Sequence, residues 1–216
     1  MISVVITSCG RLDLLRKTIT SFLKYNTYPI TEWIIVDDSC NVDMWDELKR
    51  YLPNCTLLLS NEKRGQIRCI DDAYSAVKTP YIFHCEDDYE FSKGGFMEQS
   101  LEILETQPTI MQVWLFQGHN HPVEPMILKT GDTFFRLLGD YDEGKWHGFT
   151  WNPGLRRLAD YKLIAPFSSF IREGDFNALT ECRIGQKFYE MGFRSAILND
   201  IYCKHIGVGR HVDITD

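Results

Sequence analysis

In the first half of this chain, short apolar runs alternate with segments of helical periodicity, and this alternation constrains the fold more than any other feature. Residues 3–7, 32–36, 55–59 and 81–85 each read as a strand. After the first run, Leu12, Leu15, Ile19, Phe22 and Leu23 recur at steps of three and four, the stripe of a helix lying on a sheet. A short helix over 44–51 follows the second run, and Ile67, Ile70, Ala73, Tyr74 and Val77 mark another before the fourth. Strands joined by helical crossovers run parallel, so the expected architecture is α/β, with a mostly parallel central sheet flanked by helices. At 216 residues, 44% of them hydrophobic and 13% aromatic, the chain fits a single domain with its own core.

Beyond residue 92 the pattern loosens. A helix is expected over 95–105, carried by Met97, Leu101 and Leu104, and then a strand over 111–116. Residues 118–153 read as a long irregular stretch with turn signals at Gly131-Asp132, Gly139-Asp140 and Glu143-Gly144; loops of that length commonly bind ligands. A last helix over 181–191, with Ile184, Phe188 and Met191 on one face, leads to a strand over 195–198 and a tail from 202 rich in glycine and cations.

Composition narrows the partners. A net charge of -7 argues against a broad nucleic-acid surface, and no uncharged apolar stretch reaches the roughly 20 residues of a membrane span. Cysteines 9, 40, 55, 69, 85, 182 and 203 contain no C-x-x-C pair and read as reduced thiols. Because Ile2-Ser3-Val4-Val5-Ile6 already reads as strand, no room is left for a secretion signal, and a cytoplasmic location is expected.

The fourth run ends in Glu86-Asp87-Asp88 and the second in Asp37-Asp38. Three adjacent carboxylates repel one another, so they suit either a divalent cation or a solvated acidic turn. Asp37-Asp38 suits ligand binding, and with Ser39 it equally suits helix capping. In an open parallel sheet, ligands bind beyond the carboxyl ends of the strands, where both acidic groups and the loop after Thr7 gather. A nucleoside diphosphate, with metal between its phosphates and the acids, fits that edge. His119-Asn120-His121 has ligand spacing but no acids nearby, and reads as polar loop.

Residues 3–7 with their amphipathic helix, Ile35-Val36-Asp37-Asp38-Ser39, Asn61-Glu62-Lys63-Arg64-Gly65 and Glu86-Asp87-Asp88 resemble the nucleotide-sugar-binding half of a GT-A fold glycosyltransferase of family 2. The resemblance covers roughly the first 92 residues. It implies residues 1–92 as the donor-binding half of one domain over 1–216, and residues 93–216 as the acceptor-binding and catalytic half, with loop 118–153 and a C-terminal lid over 202–216. It implies a metal-dependent transferase moving a sugar from a nucleoside diphosphate donor, UDP foremost, to a carbohydrate or other hydroxyl acceptor, with inversion. Thr7, Ser8, Arg11, Asp37, Asp38, Arg64, Glu86 and Asp87 would contact the donor nucleotide; Asp88 and His205 would hold Mn2+ or Mg2+. The family's strand-four motif is usually D-x-D, and here its first acid is Glu86.

Family 2 enzymes also carry an acid at the head of a late helix, about three turns before a Gly-aromatic pair. Glu181 stands eleven positions before Gly192-Phe193, although Thr180 replaces the usual preceding acid. The resemblance makes Glu181 the base that deprotonates the acceptor, while Lys204, Arg210 and His211 would steady the leaving diphosphate. Trp151 and Asn152 suit an acceptor platform beside Trp146, or a small core of the loop itself. A sugar-phosphate nucleotidyltransferase is the alternative enzyme, but Ser8-Cys9-Gly10-Arg11-Leu12 offers only one glycine and one arginine for a triphosphate. A nucleotide- or carbohydrate-binding module without turnover is the non-enzyme alternative.

Overall fold

The first strand, β1 (Ile2–Ser8), is buried along its whole length, as a strand covered on both faces must be. The computed structural model describes residues 1–41, 44–52, 54–115, 122–139, 146–174 and 176–210. β1 lies between β2 (Glu32–Asp37) and β4 (Tyr81–Glu86), parallel to both, and sets Thr7 opposite Val36 on one side and Glu86 on the other. β3 (Thr56–Leu59) extends that edge in parallel.

On the far side of β4, the antiparallel strand β9 (Gly154–Arg157) separates it from β6 (Ile110–Trp114). β10 (Arg194–Leu198) runs parallel to β6, and a hairpin of β7 (Leu128–Thr130) and β8 (Thr133–Leu137) closes the sheet. The nine strands lie in the order β3-β2-β1-β4-β9-β6-β10-β8-β7.

Strand alternation feeds two core layers. Val4 and Ile6 of β1 join Leu15, Ile19 and Phe22 of α1 (Leu12–Tyr25), together with Phe96 and Leu104 of α4 (Phe96–Thr106). Val5 faces the other way, with Ile70 and Tyr74 of α3 (Gln66–Ala76), Tyr161 of α5 (Leu158–Ile164), and Ile184 and Phe188 of α6 (Asn177–Glu190). A short helix α2 (Met44–Tyr51) follows β2, and a 3-10 turn spans Phe167–Phe170.

The expected α/β sheet is present, with local differences that have physical causes. Leu23 is 51% exposed, because Phe22 already occupies the position on α1 that faces the sheet. The stretch over 118–153 is not irregular throughout: its Gly131-Asp132 signal is the turn of the β7–β8 hairpin, while Asp140 of the second signal and Glu143-Gly144 lie outside the described residues. β9 is too short to show alternation; Gly154 lets it approach β6, since a Cβ there would sit 2.6 Å from the Val113 carbonyl oxygen. The last helix starts at Asn177, so Glu181 lies a turn inside it, and Met191 caps it, 40% exposed.

The acidic turn after β4 is pinned from beneath. Thr18 of α1, fully buried, donates its hydroxyl to the Asp87 carbonyl at 2.7 Å and accepts the Tyr89 N–H at 3.0 Å. The chain then forms β5 (Tyr89–Phe91), which pairs antiparallel with β11 (Cys203–His205) of the tail. Thr18→Val keeps the shape but strands both backbone groups, so urea denaturation should show a loss of about 2–4 kcal/mol. An unchanged midpoint would show that the turn holds itself.

Candidate functional site

The parallel strands end together, and their carboxyl ends carry the acids. β4 delivers Glu86 as its last residue, half-buried, and places Asp87 and Asp88 in the following turn, where they are 0% and 3% exposed. Burying adjacent anions requires compensation, and the loop after β1 supplies it. The Arg11 guanidinium forks onto both Asp87 oxygens and also reaches Asp88 Oδ2 at 2.9 Å. Ser8 donates to Asp87 Oδ2 at 2.8 Å. Thr7 lies alongside with a buried hydroxyl that makes no hydrogen bond.

The tail closes on this turn. Ile206 N–H donates to the Asp88 carbonyl at 2.8 Å, and His205 Nε2 lies 3.1 Å from Asp88 Oδ2. Gly207 is required at the contact, because a Cβ there would fall 2.1 Å from the same oxygen. Asp88 Oδ1, although buried, has no partner. An orphaned carboxylate oxygen beside an imidazole nitrogen is a donor set that fits an oxygen-preferring divalent ion, with ligand oxygens completing the shell. Among the described residues, no three His, Cys, Asp or Glu side chains form a closed metal cage.

Asp37 and Asp38 hold loops in place. Asp37 accepts the N–H groups of Gly10 and Ser39, each at 2.9 Å. Asp38 accepts those of Arg64 at 2.8 Å and Gly65 at 2.7 Å, tying the 61–65 segment to the end of β2. Arg64 therefore meets the site through its backbone, while its guanidinium pairs with Asp72 along α3.

Glu181 of α6 accepts the Trp151 N–H at 2.8 Å and stands 3.5 Å from Thr150 Oγ1. Burial pushes its carboxyl up to about 7, against the opposing effect of the Trp151 hydrogen bond and of Arg156. Glu86 is pushed further, to about 8, by burial and then by the charges of Asp88 and Glu181. Asp87 is held at about 6, raised by burial and restrained by Arg11.

Three expected roles are corrected by these positions. Trp151 is 2% exposed, its ring between Phe149, Phe167 and His84, so it presents no face to a sugar; the loop uses it as core. Asn152 stays at the site and accepts the Tyr89 hydroxyl at 2.7 Å. Lys204 points to the face of β11 opposite His205 and pairs with Glu90, away from the acids, as strand alternation dictates. Arg210 reaches back over the β1–α1 loop to grip Asp13 at 2.6 and 3.0 Å, and its carbonyl accepts from Arg11 at 3.0 Å. His119, His121 and His211 lie outside the described residues.

Sequence reasoning did not find Gln66 and Asn177. Asn177 donates to the Gln66 side-chain oxygen Oε1 at 2.7 Å and the Gln66 Nε2 donates to Glu86 at 2.6 Å, a relay from the start of α6 through the start of α3 to the acid. The position of Gln66 directly after Gly65 was the available signal.

The sequence matches the Glycosyl transferase family 2 profile over residues 3–163. No curated protein matches it significantly. Among solved structures, the mannosyltransferase PcManGT from Pyrobaculum calidifontis, in complex with GDP-Man and Mn2+, superposes with a TM-score of 0.70 at 13% identity, covering 97% of this chain and 57% of that one. TarS of S. aureus gives 0.67 at 12% identity, over 94% and 59%. GalNAc-T7, with UDP, GalNAc and Mn2+, gives 0.67 at 11% identity, over 92% and 41%. The chain thus spans less than two thirds of these proteins' length.

The raised carboxyls bind protons more tightly in the folded chain than in the unfolded one. Their stabilising contribution is full below about pH 4 and is lost as the pH rises through about 6, 7 and 8. Metal-free protein should therefore melt higher at about pH 5.5 than at about pH 8.5. Arg11→Ala should cost about 3–5 kcal/mol at the higher pH, where Asp87 is left as an unpaired buried anion, and clearly less at the lower, where it takes a proton. Equal losses at both pH values in chemical denaturation would contradict the assigned pairing.

Proposed function

We infer, because the chain belongs to glycosyl transferase family 2, that it transfers a sugar from a nucleoside diphosphate donor to a hydroxyl acceptor. The donor is read as a UDP-sugar, the reaction as inverting, and the ion as Mn2+ or Mg2+, in line with the UDP and Mn2+ bound by some of the similar structures. One observation carries the reading: an orphaned, buried Asp88 oxygen beside His205 at the end of β4, with a second buried acid, Glu181, raised to about 7. The seven free thiols support a cytoplasmic setting, and among the described residues no helix is long and apolar enough to cross a membrane.

The side chains divide the work. Asp37 and Asp38 hold the Gly10 and 64–65 backbone in position, so that the crevice between β1, β2 and α3 is shaped before a nucleotide enters. Asp88 and His205 would hold the ion, which would supply neutralisation of charge on the departing diphosphate. Glu181 takes the proton of the acceptor hydroxyl as that oxygen bonds to the anomeric carbon. The bond from that carbon to the diphosphate breaks with its electron pair going to the leaving group. A carboxyl near 7 suits this task, being ionised in an appreciable fraction near neutrality while still basic.

Glu181→Gln should lower kcat by about 100- to 10,000-fold while leaving the dissociation constant for the donor within about threefold. Parallel loss of donor binding would assign Glu181 a structural role instead. With manganese, a screen of nucleoside diphosphates should raise the melting temperature of the wild type and fail to do so for Asp88→Ala. If Asp88→Ala keeps the manganese-dependent shift, the ion is held elsewhere.

A further inference from the structure

We propose that Arg156 is a positioning residue for Glu181, acting through the peptide between Thr150 and Trp151. The proposal rests on the reading of Glu181 as the base. In a trans peptide, the carbonyl and the N–H point in opposite directions. Here the two ends of one peptide are gripped from opposite sides. Arg156 Nη2 donates to the Thr150 carbonyl at 3.1 Å, and Gln112 Nε2 donates to the same oxygen at 3.0 Å. The N–H at the other end of that peptide, from Trp151, donates to Glu181 Oε1 at 2.8 Å.

Arg156 is placed for little else. It is 3% exposed on β9, its guanidinium among the rings of Phe149, Tyr74 and Trp151 at 5.5, 6.0 and 6.0 Å. Among the described residues, no carboxylate pairs with it directly, and its Nε and Nη1 have no partner. A cation kept in such a place is costly, and packing alone would be served better by methionine or leucine. A charged donor on the carbonyl draws electron density through the peptide and strengthens the N–H as a donor, so the charge of Arg156 reaches Glu181 with the correct orientation.

Other charged and titratable groups around Glu181 act differently. Glu86, at the end of β4, is itself raised by the charge of Glu181. Arg183, on the same helix, is turned to the Phe170 carbonyl at 2.8 Å. His84 lies behind Trp151 and is held neutral by burial. Arg156 is thus the cation whose charge favours the Glu181 carboxylate.

The test follows the Glu181 carboxyl itself, by its 13C resonance in protein labelled at glutamate and assigned with Glu181→Gln, alongside the pH profile of transfer. In Arg156→Gln the Glu181 midpoint should rise by about one unit, and transfer at about pH 6 should fall about tenfold, the deficit shrinking as the pH rises. Arg156→Lys should return the midpoint toward wild type. Gln112→Met removes the second grip without changing charge, and should raise the midpoint by a smaller amount. An unmoved midpoint in folded Arg156→Gln overturns the proposal; if that variant does not fold, an unmoved midpoint in Gln112→Met does so. Full activity of Glu181→Gln would instead end the reading of Glu181 as the base, whatever the midpoints show.

Discussion

The mutual repulsion of Glu86, Asp87 and Asp88 at the end of a buried strand is the constraint around which the neighbouring residues are arranged. Each nearby element answers part of it. The loop after β1 brings Arg11 and Ser8, α1 brings Thr18 to the turn's backbone, and the tail brings His205 and the Ile206 N–H. A protein that only needed a turn here would place Gly, Asn or a single Asp and avoid the cost of burial. Keeping three acids, with one oxygen left without a partner, is a stored electrostatic imbalance that a bound cation would relieve.

The imbalance also divides labour among residues of one type. Asp87 is structural, saturated by Arg11 and Ser8; Asp88 is shared between Arg11 and His205 with one oxygen spare; Glu86, with its longer arm, reaches back to Gln66. Asp37 and Asp38 each accept two backbone N–H groups and so fix the shape of the neighbouring loops. Chemical identity in the sequence therefore says less about role than the donors that happen to surround each carboxylate.

This is also where legibility from sequence ends. The β1–β4 half was readable because long apolar periodicities bury one face each, and period and burial are local properties of the chain. β9 was not, since four residues beginning with glycine and ending in two arginines carry no period, and their strand state is imposed by β4 and β6 on either side. His205 lies beside Asp88, and the charge of Glu181 is felt at Glu86, while the Trp151 ring is core and Lys204 pairs with Glu90. The direction a side chain faces depends on register: one residue along β11 separates His205 from Lys204, and Trp151 turns its N–H to Glu181 while burying its own indole. Gln66 and Arg156 act on other side chains or on backbone, so residue type alone could not mark them.

The pairing of β5 with β11 has a consequence for assembly. The contact between Asp88 and His205 spans 117 positions, so the loop it closes contains most of the sheet. Closing so distant a pair is unfavourable until the intervening strands have ordered, which places it late in folding. During synthesis, the acids at the end of β4 would emerge and be compacted by Arg11 long before the tail arrives. Completion of the acidic edge is thereby coupled to completion of the domain, and a chain stalled before residue 203 would carry β1–β4 yet lack the final contact on Asp88.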